Sequence, residues 1–598
     1  MTQKSPKQNY IRLSAKYKLE HQKLQTMISR VALMRITVFL AGLAALYFST
    51  FYTSLHVVIV AAVFVTGFVL IVVWHARLHQ RRDENARLLL INENEIKALD
   101  GDYSNFAEGE AYSHPDHPFS GDLDIFGRGS IFQYLNRSAT VIGEKTLARW
   151  FNNPTKKIDE IKKRQEAISD LKDRIEWRQQ FQSVGLWLQD KEEDRKGILE
   201  WMTRPAEFHQ GIYRILLVLI PLLSTFMLVM MLMGNVSFQS FVLYLLVPLG
   251  IAIGRSKTVN RNHALLSKKA DLLEKYGRLI HLIETEKFKS KTLREAQAEL
   301  TGVHKSGDAL RRLAKIIQAF DSRLNIFAWV ILNAFILWDI RQARRLEYWR
   351  EIHKNDVEAW FEIMALFDAL SSLACFWHNH PAFVLPKPVE KNFVLEAKNC
   401  GHPLLKAESR VDNPISFEGW HNFIIVTGAN MAGKSTYLRT VAVNFILAMT
   451  GAPVCASSFV YSPADIFTSI RTRDNLLQNE SYFFAELKRL KAIIDTLQSG
   501  AQLFIILDEI LKGTNSKDKQ EGSKALLQQL IRYDASGLIA THDLKLGELI
   551  DAYPSNIRNM RFEVEIKNDA LVFDYQLKTG ISQNLNATFL MKKMGITI

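Results

Sequence analysis

The sequence predicts an α/β domain with a buried parallel sheet in its C-terminal third, preceded by an all-α region that carries two transmembrane helical hairpins. The α/β prediction rests on a glycine-rich loop, residues 428–436, that stands between a short apolar run and a helix-forming segment. Two later short apolar runs, at 503–507 and 537–540, are typical of buried parallel strands. The hairpin prediction rests on four apolar stretches of helical length that come in two pairs.

The four apolar stretches are each about 16–20 residues long, around the length of a helix that crosses the hydrocarbon core of a membrane. They cover residues 36–52, 57–74, 215–234 and 238–253. The turn inside each pair is very short and contains neither Lys nor Arg, whereas the outer flanks are basic. By the positive-inside rule, both pairs are hairpins with their ends in the cytoplasm. This predicts a multi-pass membrane protein, as in a bacterial inner membrane, with its soluble domains in the cytoplasm.

The alternative is a pair of buried helical hairpins in a large soluble core. A cleaved signal peptide fits less well, because a long polar segment precedes the first stretch and a second apolar stretch follows at once. A fifth apolar run, residues 326–338, is shorter and contains Asn333. We expect this run to be a core helix rather than a membrane span.

The polar segments after the hairpins predict further helices. Residues 262–321 are charged, lack proline and place Leu and Ile at the spacings of amphipathic helices. Residues 346–377 continue the pattern with a recurring face of large apolar side chains, which indicates ordinary helical packing. No group of catalytic residues stands out before residue 400.

Residues 428–436 form a complete G-x-x-x-x-G-K-S/T phosphate-binding loop, with a strand candidate before it and a helix candidate, 437–449, after it. The glycines allow backbone N–H groups to close around phosphates, and the helix N-terminus adds positive potential. We expect Lys434 to reach the β- and γ-phosphates of ATP and Ser435 to ligate Mg²⁺. The predicted nucleotide-binding residues of the loop are Gly428, Ala429, Asn430, Met431, Ala432, Gly433, Lys434, Ser435 and Thr436.

The strand candidate 503–507 ends in an acidic pair, Asp508 and Glu509. We expect Asp508 to hold Mg²⁺ through water, and Glu509 to orient or deprotonate the water that attacks the γ-phosphate. The strand candidate 537–540 is followed by His542, which can sense the γ-phosphate from that position. These residues predict a Mg²⁺-dependent ATPase in which Glu509, His542 and Lys434 are the catalytic candidates.

The composition favours anionic partners without choosing among them. The net charge of +13 suits nucleic acid, nucleotide or an anionic membrane surface, although excess Lys and Arg can equally form a solvated surface. The three cysteines form no C-x-x-C pair and have no His at metal-binding spacing. This usage argues against a zinc site or a disulfide framework and is typical of a reducing compartment.

At these residues the chain resembles the MutS family of ATPases. Residues 427–437, T-G-A-N-M-A-G-K-S-T-Y, are similar to the family's T-G-P-N-M-G-G-K-S-T-Y loop, and the departures at Ala429 and Ala432 leave both glycines of the minimal motif in place. Residues 508–514, D-E-I-L-K-G-T, and 540–542, A-T-H, look like the family's later motifs. Further similar segments are 401–404, 466–474 and 481–486 and, in the family's helical core, 123–140, 143–154 and 164–167.

The resemblance implies a P-loop NTPase domain of the ABC-ATPase-like type found at the C-terminus of MutS, preceded by the all-α MutS core and lever region. Together with the hairpins predicted from the apolar stretches, it divides the chain as follows: a basic segment (1–30), a transmembrane hairpin (31–82), the first part of the core (83–210), a second transmembrane hairpin (211–256), the second part of the core with the lever (257–390), and the ATPase domain with C-terminal dimerisation helices (391–598).

The family's ATPase domains dimerise, and each site is completed by the partner subunit. The resemblance therefore implies a homodimer in which the loop 514–516 approaches the γ-phosphate bound by the other subunit, with Ser516 as a nucleotide contact. This chain departs from the family just after that loop, because residues 519–521 precede Gly522 where the family pattern is shorter. The segment 587–594 would correspond to the dimer-forming tail, and the loop 411–414 to the adenine side.

The mismatch-reading module of the family is a soluble N-terminal domain, whereas the first hundred residues here predict a basic segment and a membrane hairpin. We therefore expect a membrane-anchored, dimeric MutS-like ATPase that associates with DNA, as repair and recombination members of the family do, but without mismatch specificity. The alternative is a membrane-tethered, ATP-driven conformational switch that acts on a protein partner and does not bind mismatched DNA. A transporter of the ABC type is disfavoured, because no L-S-G-G-Q-like segment lies between Lys434 and Asp508.

Overall fold

The chain begins with a long helical hairpin. The structure, a computed structural model, describes residues 5–302, 305–429, 431–470, 482–512, 514–567 and 570–582. Helix α1 (Pro6–Ser49) starts at a capping box in which Ser5 Oγ accepts from Gln8 N–H, and it packs along α2 (Ser54–Leu99). The sequence-based boundaries at residues 30 and 82 lie inside these helices, because each helix continues from its apolar stretch into the polar flank.

A helical domain follows, and the second hairpin is inserted into it. Its elements are α3 (Ile131–Leu135), α4 (Val141–Asn152), α5 (Ile158–Lys172), α6 (Ile175–Gly185), α7 (Glu192–Met202), α8 (Gly211–Leu232), α9 (Phe238–Leu266), α10 (Ala270–Thr285), α11 (Lys291–Leu300), α12 (Ser306–Asp321), α13 (Ile326–Ile336), α14 (Trp338–His353) and α15 (Val357–Asn379). Helices α8 and α9 form the second hairpin. Helix α15 is the centre of the domain and contacts α4, α5, α6, α10 and α11.

Five helices of the described residues are long and apolar enough to cross a membrane, namely α1, α2, α8, α9 and α15. The apolar window of α15 is 83% buried inside the protein, whereas at most 17% of the corresponding window is buried in each of the other four. Helix α15 is therefore a core helix, which confirms the ordinary helical packing expected for residues 346–377 over the part that α15 covers. The other four present their apolar surface to the outside.

The expectation of a core helix at residues 326–338 is wrong. Helix α13 packs on α8 and α9, but its Ile326, Phe327 and Ile331 are 63%, 78% and 60% exposed. The polar Asn333 is buried instead, where its Oδ1 accepts from the Asp339 N–H at 3.0 Å. The apolar composition of this run shows only that its side chains avoid water. It does not distinguish a helix in the protein interior from a helix on an outer apolar surface.

The α/β domain contains two sheets. Its elements are β1 (Lys387–Pro388), β2 (Val394–Cys400), β3 (Asn413–Glu418), β4 (Phe423–Thr427), α16 (Lys434–Thr450), β5 (Ser458–Tyr461), β6 (Asp465–Ser469), α17 (Tyr482–Gln498), β7 (Leu503–Asp508), α18 (Ser516–Leu530), β8 (Ala535–Thr541), α19 (Leu544–Gly547), β9 (Ile557–Lys567) and β10 (Ala570–Thr579). The larger sheet has the order β10-β9-β4-β8-β7-β6 and is parallel except for β10. The smaller has the order β1-β5-β2-β3, and α16 contacts strands of both sheets.

Candidate nucleotide-binding site

Three neighbouring parallel strands bring the predicted site residues to one edge of the larger sheet. Strand β8 lies between β4 and β7, with Thr427 paired to Thr541 and Asp508 paired to Ala540. The segments that follow these strands therefore leave the sheet at the same carboxyl edge, which is where α/β sheets bind ligands. They carry the glycine-rich loop, the pair Asp508 and Glu509, and His542.

Glycine is required at the beginning of the loop. Gly428 has φ +150°, and a Cβ there would lie 2.6 Å from the Phe562 carbonyl oxygen. Gly433, with φ +106°, is the left-handed residue from which α16 begins. The loop thus places Lys434 and Ser435 in the first turn of a 17-residue helix, where the free backbone N–H groups favour an anion.

The ammonium of Lys434 is buried and held by its own loop. Its Nζ donates to the carbonyl oxygens of Gly428 at 2.7 Å and Ala429 at 2.9 Å, and it lies 3.4 Å from ring nitrogens of His542. Burial lowers the pKa of Lys434 to about 8. A phosphate oxygen would be a stronger acceptor for this ammonium than the two carbonyls that it now uses.

Glu509 is kept ionised by its neighbours. A hydrogen bond from His542, whose Nε2 lies 3.0 Å from Oε1, lowers the pKa of Glu509 to about 2, although its partial burial acts in the opposite direction. The backbone here is strained, since Glu509 and Leu511 both have φ in the left-handed region, at +55° and +58°. The carboxylate of Glu486 stabilises this turn by accepting from the N–H groups of Leu511 at 2.6 Å and Lys512 at 3.1 Å.

A cleft of about 520 Å³ opens between these groups. The predicted residues that line it are Ala429, Met431, Gly433, Lys434, Ser435, Thr436, Asp508, Glu509 and His542. Ala432 is buried, and Asn430 and the segment 587–594 lie outside the described residues. Ser516 does not line the cleft: it is exposed at the first turn of α18.

Other parts of the cleft come from segments that the sequence predicted only in part. Val411 and Asn413 line the cleft and belong to the loop 411–414, which the resemblance assigns to the adenine side. Phe562 of β9 and Tyr575 of β10 also line it and lie against the glycine-rich loop. Asn413 joins the two sheets, because its side chain donates to the Tyr575 carbonyl at 3.0 Å and accepts from the Leu577 N–H at 2.8 Å. The signal for β9 was the strict alternation of apolar and charged residues over 560–567, which is the period of a strand.

The residues present fit Mg²⁺ and a nucleoside triphosphate. The glycine positions allow close backbone approach, and the Lys434 ammonium is available for an anion. Ser435 and Asp508 line the same cleft with a hydroxyl and a carboxylate, the oxygen ligands that Mg²⁺ prefers.

Comparison with known proteins agrees with the motifs. Residues 119–374 match the family description MutS domain III, and residues 424–592 match MutS domain V. The chain belongs to the MutS family. In this MutS family member, domain III corresponds to the helical domain with its inserted hairpin, and domain V is the α/β domain of ATPase type that carries the cleft.

Individual relatives show the same similarity. The DNA mismatch repair protein MutS of Thermotoga petrophila is 25% identical over 515 residues, which cover 78% of this chain and 61% of the relative. MutS protein homolog 4 of Mus musculus is 34% identical over 249 residues, 40% of this chain and 25% of the relative. The DNA mismatch repair protein MSH4 of Arabidopsis thaliana is 30% identical over 252 residues, 40% of this chain and 31% of the relative. The chain thus spans between a quarter and about three fifths of the length of these relatives.

Proposed function

We propose that this MutS family member is a membrane-anchored, Mg²⁺-dependent ATPase whose active site is completed by a second copy in a homodimer. The observation that carries the ATPase activity is the position of Glu509, ionised and held by His542, in the same cleft as the phosphate-binding loop. A site that only bound nucleotide would gain nothing from this carboxylate, because its charge repels phosphates. A site that hydrolyses ATP needs such a group to position water.

Each side chain has a separate task in this proposal. Ser435 and Asp508 would hold Mg²⁺, and Lys434 would exchange its carbonyl partners for phosphate oxygens. Bound Mg²⁺–ATP supplies the reactive phosphoryl group with its charge partly neutralised. Glu509 accepts a hydrogen bond from the attacking water; its pKa of about 2 favours orienting that water over removing a proton from it. His542 fixes the position of the Glu509 carboxylate.

The substitution Glu509→Gln tests this assignment, because it keeps the shape of the side chain and removes its charge. We expect ATP binding to be retained and turnover to fall by about 10²–10⁴-fold. Glu548→Gln is the matched control, since Glu548 is an exposed carboxylate of the same domain outside the cleft. Binding of a fluorescent ATP analogue and phosphate release are measured on both variants. Undiminished turnover in Glu509→Gln would contradict the assignment.

Membrane anchoring is supported by the apolar surface of the two hairpins. Large side chains such as Val63, Leu222 and Leu243 are more than 60% exposed, and a continuous apolar surface of this kind is unfavourable in water. The polar base of the first hairpin packs on the helical domain, where Tyr10 donates to Asn379 at 2.7 Å. This arrangement supports a topology in which both ends of the hairpin lie on the side of the soluble domains.

Association with DNA is proposed from the relatives, two of which are named as DNA mismatch repair proteins, and from the net charge of +13. We propose binding to the phosphate backbone without mismatch specificity. In the same ATPase assay, matched and mismatched duplexes should stimulate turnover equally, and stimulation should fall steeply with salt because phosphate contacts release counterions. An ATPase rate that does not change on addition of DNA would favour the alternative, a conformational switch that acts on a protein partner.

A further inference from the structure

A second cleft, of about 910 Å³, lies between α8, α12 and α14. Its residues are distant in sequence from the nucleotide-binding loop. Its walls are formed by the first turns of α8, one face of α12 and nearly the whole length of α14. The proposed ATPase mechanism does not use any of these residues.

The cleft is strongly positive. Seven Lys or Arg side chains line it, against the two carboxylates of Asp308 and Glu351. Both carboxylates already have partners, since Asp308 pairs with Arg311 and Glu351 lies 3.2 Å from His209. Within the described residues, none of the seven cations has an ion-pair partner. Arg341 and Arg345 donate to the Leu217 carbonyl and to Gln342 Oε1, whereas five donate no side-chain hydrogen bond at all: Arg214, Lys305, Arg312, Lys315 and Arg344. This excess of positive charge fits an anionic ligand.

One side of the cleft is apolar and continues onto a helix that is long and apolar enough to cross a membrane. Leu217 and Val218 of α8 line it together with Ile316 and Ile352, and Val218 is 62% exposed. Arg341 of α14 donates from Nη2 to the Leu217 carbonyl at 3.0 Å, so α14 is fixed against the beginning of α8. The Nε of Arg341 is buried and has no hydrogen-bond partner among the described residues. The cations therefore surround the point at which α8 would enter the bilayer from the cytoplasm.

We propose that this cleft binds the headgroup of an anionic phospholipid of the cytoplasmic leaflet, with the acyl chains lying along α8. The proposal rests on the membrane anchoring proposed above. The phosphate of the headgroup would pair with the unpaired cations, and an acyl chain would cover the adjoining exposed apolar side chains. A nucleic acid would pair with the cations but would not cover the apolar side chains, because its charged backbone would lie against the apolar surface of α8.

Lipid binding to the full-length protein in neutral detergent tests this site. The protein is titrated with phosphatidylglycerol or with phosphatidylcholine of the same acyl chains, and bound lipid is counted by native mass spectrometry. We expect phosphatidylglycerol to be preferred, and Arg312→Glu with Lys315→Glu to weaken its binding by about tenfold or more. Both residues are exposed on α12, so the change is compatible with folding.

The matched control is Lys162→Glu with Lys163→Glu, an identical change of charge on an exposed face of α5. The proposal is overturned if the control loses as much phosphatidylglycerol as the cleft variant, or if phosphatidylcholine binds equally well. It is also overturned if glycerol phosphate or duplex DNA displaces the lipid at equal concentration, since the ligand would then be a free phosphate or a nucleic acid.

Alkaline washing of membranes that contain the parent protein separates this proposal from the anchoring itself. Release of the protein into the supernatant would overturn the anchoring and the lipid site together. Retention in the membrane without a preference for phosphatidylglycerol would overturn the lipid site alone.

Discussion

Lys434 occupies an environment that disfavours its charge until an anion binds. Burial lowers the pKa of Lys434 to about 8, below the value of about 10.4 for an exposed lysine. Because the folded-state pKa lies below the unfolded one, the charged ammonium costs stability below about pH 8, and this cost disappears as the pH rises toward the unfolded value. Nearby phosphates would act in the opposite direction and raise the pKa of Lys434 again.

ATP binding should therefore be accompanied by proton uptake near pH 8. We expect about half a proton per site at pH 8 and almost none at pH 6, where Lys434 is already charged. Calorimetric titration with Mg²⁺–ATP in two buffers of different ionisation enthalpy measures the uptake. Lys434→Arg serves as the control, since arginine stays charged throughout, and its titration should not depend on the buffer. The prediction would be contradicted if the titration of the parent protein were equally independent of the buffer.

The first hairpin is attached to the helical domain by a buried polar cluster. Glu95 of α2 pairs with Arg137, and their side chains are only 2% and 5% exposed. Asn379, near the end of α15, donates to Glu95 at 2.8 Å and accepts from Tyr10 of α1 at 2.7 Å. Burial opposes the charge of Glu95, but Arg137 and Asn379 hold its pKa below the usual value. Three helices therefore meet at a buried carboxylate, which would be left as an unpaired charge if Arg137 were removed.

Breaking this pair should loosen the base of the hairpin. Arg137→Met leaves Glu95 buried without its cation and should lower the free energy of unfolding by about 3–5 kcal/mol. Tyr10→Phe removes one hydrogen bond and should cost about 1 kcal/mol. Denaturant unfolding measures the change in the free energy of unfolding. Hydrogen exchange in α1 and α2 shows whether the base of the hairpin is the region that is destabilised.

The double variant Glu95→Met with Arg137→Met is the control for charge burial. It removes both charges and should be more stable than Arg137→Met alone. Equal stability of the single and double variants would show that packing, rather than the unpaired carboxylate, accounts for the loss.

In the whole molecule, a series of contacts connects the nucleotide cleft with the first apolar hairpin. Arg439 of α16 donates to Asp124 at 2.6 Å. Arg489 of α17 donates to the carbonyls of Thr468 at 2.8 Å and Pro118 at 2.9 Å. The helical domain reached by these contacts holds the first hairpin through Asn379. A rearrangement of the α/β domains in a dimer would thus act on the helices of this hairpin, which we propose to be a membrane anchor.

A homodimer with composite sites can be tested by mixing two inactive variants. Glu509→Gln removes a carboxylate from the cleft of the same subunit. Ser516→Arg alters a residue that lies outside that cleft and would reach the site of the partner subunit. Each variant alone should be inactive. An equimolar mixture should recover about one quarter of the parent's ATPase rate, because half of the dimers are mixed and each contains one intact site.

The control mixture combines Ser516→Arg with the double variant Glu509→Gln and Ser516→Arg, which cannot form an intact site and should stay inactive. If the first mixture remained inactive, or if Ser516→Arg alone retained full turnover, Ser516 would have no role in the partner's site.

The sequence by itself determined the features that depend on local pattern. A phosphate loop needs its glycines, Lys434 and Ser435 at fixed spacing. A buried parallel strand needs an unbroken apolar run such as the one before Asp508, and an apolar helical hairpin needs two apolar stretches of sufficient length. Only the tertiary structure decided what those segments meet. It placed Phe562 and Tyr575 against the glycine-rich loop, and Glu486 within hydrogen-bond distance of the turn after Glu509. It also left α13 exposed and placed cations around the start of α8. Periodicity states which face of a segment avoids water, but the partner that covers this face is chosen by packing between residues hundreds of positions apart.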